Sequence, residues 1–173
     1  MKKLILGMFA FLAVVSFAVP AFAVGEVKYA FVDVAKIFDQ YQKTKENDRT
    51  LQDQGKKKEE ERDALVLEIR QMKDELALVN EDAKAKKQEA LGAKMKDLQD
   101  FDGETRNVLG EQRNKVVREI FKDIDDSVKR FGERKGLDLV FNERALLYHN
   151  PKYDATGEIL TEINTNYAKN KKK

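Results

Sequence analysis

His149 is the only histidine in this sequence, and it stands beside Asn150-Pro151, a turn signal. Cysteine is absent. One imidazole and scattered carboxylates fall short of the His and Cys sets that hold zinc. The Asp123, Asp125, Asp126 cluster has neither the glycine nor the spacing of a calcium loop. No Ser-His-Asp arrangement, glycine-rich phosphate loop or nucleophile elbow is evident. His149 therefore reads as a surface turn residue and the carboxylates as the solvated faces of helices. The expectation is a protein that is not an enzyme, with no catalytic residue, no metal ligand and no cofactor.

What remains is binding by apolar and charged surface. Lys56-Lys57-Lys58 and Lys84, Lys86 and Lys87 are local basic patches, and Met72 and Met95 are adaptable apolar fillers that read as seam residues between helices. The chain carries 33 basic and 31 acidic residues. Two of the basic ones, Lys2 and Lys3, open a stretch that reads as a secretory signal peptide over residues 1–23. An apolar run from Leu4 to Ala18 comes next, then Pro20 and the cleavage signal Ala21-Phe22-Ala23. Removal of these 23 of 173 residues leaves 150, with 31 charges of each sign. Such a balance gives no support to a nucleic-acid partner. An exported chain without cysteine also gains no disulfide staple.

The elements that must position these surfaces are mostly helical. Residues Ala21 to Asn150 contain no proline, and proline costs about 3 kcal/mol inside a helix. Val27 to Asp33 alternates as a short strand, and Asp33 suits the N-cap of a helix starting at Val34. From Ile37 a 4-3 spacing continues through Tyr41, Thr44, Asp48, Leu51, Gly55, Lys58, Arg62, Leu65, Ile69, Met72, Leu76, Val79 and Ala83. That is a coiled-coil seam, apolar at its ends and polar in its middle. A second helix is predicted from about Lys84 to Lys135, with the reversal at Asn80-Glu81-Asp82. Arms of about 47 and 52 residues would be roughly 70–80 Å long. Gly55, Gly92, Gly103 and Gly110 lie within them, either as tolerance of bending or as drift in exposed helix. Gly136 is placed to stop the second arm. Leu137–Phe141 reads as another strand, Ala145–Tyr148 as a third, and Asn150-Pro151 as a turn. Asp154 or Thr156 would cap a closing helix that buries Ile159, Leu160, Ile163 and Tyr167, and Lys169 to Lys173 would be a frayed basic tail.

The fold class is thus α+β, mostly α. A helical-hairpin arm (34–135) projects from a small β-rich body (24–33 and 136–168), and 169–173 form the tail of a single unit spanning 24–173. A few short strands are marginal alone and leave open edges. Assembly with further copies is therefore expected, with Tyr29, Phe31, Leu139, Val140 and Phe141 as the shared core. No residue of the arms is singled out as a client contact.

Two blocks carry a family resemblance. One is Lys28-Tyr29-Ala30-Phe31-Val32-Asp33-Val34 with Lys36-Ile37-Phe38 just after it. The other runs from Gly136 through Leu137-Asp138-Leu139-Val140-Phe141-Asn142-Glu143-Arg144-Ala145-Leu146-Leu147-Tyr148 to Asn150-Pro151-Lys152 and Asp154. In these the chain resembles the Skp (OmpH-like) family of periplasmic chaperones. The resemblance implies a homotrimer with a shared β-barrel body and three tentacles. It further implies an ATP-independent holdase for unfolded outer-membrane β-barrel proteins, acting in the periplasm, with contact to anionic lipid surfaces. The balanced charge departs from the basic character of that family. The rival functions read from the sequence are a coiled-coil envelope scaffold and a membrane-surface binding protein.

Overall fold

A computed structural model describes residues 26–171; the signal-peptide reading of 1–23 lies outside them. The elements are β1 (Tyr29–Val32), α1 (Val34–Gln40), α2 (Gln42–Leu76), α3 (Glu81–Lys135), β2 (Leu139–Asn142) and α4 (Thr156–Lys171). Single 3-10 turns at Glu143–Ala145 and Pro151–Tyr153 lie between β2 and α4.

β1 and β2 form a two-stranded parallel sheet in the register Tyr29–Leu139, Ala30–Val140, Phe31–Phe141 and Val32–Asn142. The whole hairpin, α1 to α3, is the crossover between them. Caps fix its two junctions with the sheet. At the start, Asp33 has extended backbone and its Oδ1 accepts the Lys36 N–H at 2.9 Å. At the end, Gly136 is left-handed (φ 62°, ψ 42°), and the Leu137 N–H returns to the Gly132 carbonyl at 2.9 Å. Only glycine takes that conformation without a steric penalty.

The core is small and sits at the body end. Ile37 and Tyr41, Ile120, Ile124 and Phe131, and Ile159 and Ile163 are all buried around Ala30 and Val32. The ends of the arm helices are therefore part of the body. α4 docks by the face that the spacing Ile159, Ile163, Tyr167 marked out. Its start is held by Asp154 Oδ1 accepting the Thr156 N–H at 2.8 Å. Thr156 Oγ1 in turn accepts the Asp33 N–H at 2.9 Å.

Five expectations need correction. The first arm is not one helix: it breaks at Tyr41 (ψ 130°), giving α1 and a 35-residue α2, about 50 Å long, against 55 residues and about 80 Å for α3. The reversal comes earlier, after Leu76, and Asn80 is the N-cap of α3 with its Oδ1 on the Ala83 N–H. Glu81 and Asp82 are the first turn of α3, where carboxylates favour the helix dipole. Ala145–Tyr148 is not a strand: Asn142 Oδ1 accepts the Arg144 N–H and coils the chain into a 3-10 turn. Lys169 and Lys171 are helical rather than frayed, and Lys171 pairs with Glu46 at 2.7 Å. His149 is not a plain surface residue: its ring lies 4.1 Å from that of Phe31 and its Nε2 is 3.0 Å from Glu143 Oε1.

Glycine substitutions separate the two kinds of glycine. Gly136→Ala is expected to lower stability by about 1 kcal/mol or more, because alanine is strained at positive φ. Gly103→Ala, where an added Cβ meets nothing within 4 Å, should raise it by up to about 1 kcal/mol. Urea midpoints of the two variants check both signs.

Candidate functional site

The candidate functional surfaces are the arm, its root and the outer face of the sheet. In the arm, α2 has no buried residue between Thr44 and Ile69, in keeping with the polar middle of its seam. Charge pairs stitch the helices there instead, Arg62 to Asp102 at 2.9 Å and Lys94 to Glu68 at 2.7 Å, and Lys87 to Glu75 at 2.7 Å adds one nearer the tip. Lys58 adds a cation–π contact over Phe101, 5.1 Å from the ring centre. Exposed ion pairs contribute about 0–1 kcal/mol each, so the arm is held weakly along most of its length.

The basic patches are partly neutralised by these pairs. Lys58 pairs with Glu61, Lys84 with Glu81 and Lys87 with Glu75, while Lys56, Lys57 and Lys86 make no ion pair among the described residues. Apolar side chains remain in solvent along the arm: Leu67, Leu78, Met95 and Val108. Met72 lies half-buried on the seam, as expected of it. Met95, expected there too, is turned outward and 49% exposed.

At the root, Tyr41 is buried and its hydroxyl donates to Asp123 Oδ2 at 3.2 Å, an oxygen that also accepts from Lys43 Nζ at 2.9 Å. Tyr167 of α4 packs edge-on against Tyr41 and donates to Glu46 Oε2 at 2.8 Å. Thus Asp123 serves as an acceptor for the arm root. Among the described residues no group of His, Asp and Glu is arranged to hold a metal ion.

The structure divides the five residues expected to form a shared oligomer core. Tyr29, Leu139 and Phe141 are exposed on the outer face of the sheet. Val140 points the other way, half-buried near Gly132. Phe31 is buried within the chain itself, because the segment after β2 folds over it and the Ala155 N–H donates to its carbonyl at 2.9 Å. Reading the sequence as strands missed Leu147 and Tyr148, which stand exposed beside this face, and Tyr153, which packs on Tyr29 at 4.6 Å. The signals were Asn142 and Asn150, each capping a 3-10 turn.

The pattern of the OmpH-like outer membrane protein family matches residues 28–163, from the start of β1 to the middle of α4. The chain belongs to the OmpH-like family. The resemblance read from the two terminal blocks is confirmed. Among solved structures, this OmpH-like chain is similar to an OmpH-like protein of Caulobacter crescentus, itself only provisionally assigned as an outer membrane chaperone. The TM-score is 0.73 at 13% identity, over 81% of this chain and 85% of the other. At that identity the likeness is one of fold. No curated protein is similar enough in sequence to count as a relative.

The root should titrate in alkali. Burial, and after it the Glu46 carboxylate, push the Tyr167 phenol up to about 12 from an ordinary 10.0, and burial raises Tyr41 still further. An unfolded tyrosine loses its proton first, so stability falls as pH rises from 10 towards 12. Tyr167→Phe should shrink this fall, seen as a smaller drop in urea midpoint between roughly pH 9 and pH 11.5.

Proposed function

We propose that this chain is an ATP-independent holdase chaperone of the periplasm, which binds unfolded outer-membrane β-barrel proteins and keeps them from aggregating in transit. The observation that carries the reading is the arm. A helix of about 80 Å is far longer than the small core requires, and along it solvent meets a mixture of single apolar side chains and charges. No shaped pocket is needed to hold many different unfolded sequences. Weak contacts spread over a long surface suffice, and several arms acting together multiply them. Release without ATP occurs when insertion and folding of the client are more favourable than weak holding. Membership of the OmpH-like family supports the reading, as does the chaperone assignment of the Caulobacter protein.

In this reading, cleavage after Ala23 exports the chain and three copies share one body. The exposed face of Tyr29, Leu139 and Phe141 and the outer edge of β2 are the surfaces left for them. Within the two basic patches, Lys56, Lys57 and Lys86 are the lysines left unpaired, among the described residues, for an anionic lipid surface. The chain carries out no catalysis and needs no cofactor.

The test is light scattering of an unfolded outer-membrane β-barrel protein diluted from urea, without nucleotide. A modest molar excess of the mature chain, counted as oligomer, is expected to suppress the scattering. Unchanged aggregation in the presence of folded, oligomeric protein would contradict the holdase reading and leave the envelope-scaffold or lipid-surface roles.

A further inference from the structure

The first turn of α2 is capped from far away in the chain. Tyr41, at its N-cap position, offers no side-chain acceptor. The Gln42 N–H is accepted instead by Asn164 Oδ1 of α4 at 2.8 Å, 122 residues later. One turn along α2, Glu46 Oε2 takes both the Tyr167 hydroxyl at 2.8 Å and Lys171 Nζ at 2.7 Å. Positions 42 and 46 of α2 are thus met by 164, 167 and 171 of α4, the three- and four-residue spacing of two helix faces side by side.

The two halves of α4 do different things. The first half belongs to the body: Ile159 and Ile163 are buried, Glu158 pairs with Lys135 and Glu162 with Arg134. The second half lies on the root of the arm. Between them sits Tyr41, where the backbone leaves the helical region between α1 and α2. α1 stays in the body through Ile37, which is fully buried. α2, by contrast, buries nothing after Thr44 until Ile69, so apolar packing gives its first turns little hold on the body.

We propose that the second half of α4 is a strap that sets the angle at which the arm leaves the body, and that its release turns the Tyr41 break into a hinge. The strap consists of the Asn164 cap, the Tyr167 and Lys171 bonds to Glu46, and the Tyr167 ring against Tyr41. With these in place, α2 starts in one direction relative to α1. Without them the first turn of α2 has an uncapped donor and the root retains the Tyr41 and Lys43 bonds to Asp123 of α3. α3, which runs unbroken from body to tip, then adjusts by bending along its length. The device does not depend on what the arm binds.

The chain has no cysteine, so spin labels can be placed at will. Gly55→Cys on α2 and Gly157→Cys at the start of α4 are both sites where an added Cβ meets nothing within 4 Å. The full mature chain, doubly labelled and diluted with unlabelled chain, reports the body-to-arm distance distribution. Adding Asn164→Ala with Tyr167→Phe should widen it at least about twofold, as expected for release of a hinge. Glu158→Gln, which weakens only the body half of α4, should leave the width unchanged. An unchanged width in the double variant, or equal widening by Glu158→Gln, overturns the proposal. Should the double variant fail to fold, the unmodified chain decides through hydrogen exchange at Gln42. Protection of that amide by about tenfold over a free helix N-terminus is expected from one cap, and exchange at the free rate overturns the strap.

Discussion

The parallel pairing of β1 with β2 is the constraint on which the rest depends. Two parallel neighbours cannot be joined by a tight turn; the chain must travel back before the second strand begins. Here the return journey is the arm itself, and the strands it joins lie far apart in sequence, the Lys28 N–H being held by the Asp138 carboxylate 110 residues on. Once β1 and β2 are paired, both ends of the arm are fixed to one small body. The hairpin between them is free to extend, because nothing in its own packing needs to close the fold. Asp33 and Gly136 set where helix gives way to strand at the two junctions.

The chain accordingly divides its stabilisation unevenly. Apart from Ile69 of α2, the buried aliphatic residues lie in the body, supplied by α1, the last turns of α3, β1 and α4. The arm has scattered ion pairs, which in water contribute little each. This division suits the proposed role of a chaperone that holds without folding. A firm base would keep the arm in place, while a loosely held arm with single apolar side chains in solvent would offer many weak contacts and no fixed binding geometry. The long-range bonds of α4 to Gln42 and Glu46 link the two regimes at the one place where α1 and α2 part.

Much of this was legible in the sequence, for local reasons. Asp33 and Gly136 are residues whose capping chemistry acts within a few positions, so their roles could be read directly. The polar stretch from Asp48 to Arg62 announced a wet arm, and Ile159, Ile163 and Tyr167 marked the docking face of α4. What escaped the sequence depends on contacts between distant segments. The break at Tyr41 sits inside an unbroken 4-3 spacing and is stabilised by Asp123, Asn164 and Tyr167 from other helices. Phe31 looked like an interface residue because the segment that covers it read as a third strand. Asn142 and Asn150 were the local clue to the 3-10 turns that let that segment fold over. His149 went astray with it, since its stacking on Phe31 exists only once the segment is in place.

The central claim is that unfolded client is held along the arm and not on the outside of the body. Photo-crosslinking tests it most directly, with a photoreactive phenylalanine placed in turn at Leu67, Met95 and, as the body control, Gly157. An unfolded β-barrel membrane protein is diluted from urea onto each labelled variant and irradiated. The account predicts client adducts at Leu67 and Met95 and few or none at Gly157. Adducts confined to Gly157, with both arm positions silent, would contradict it.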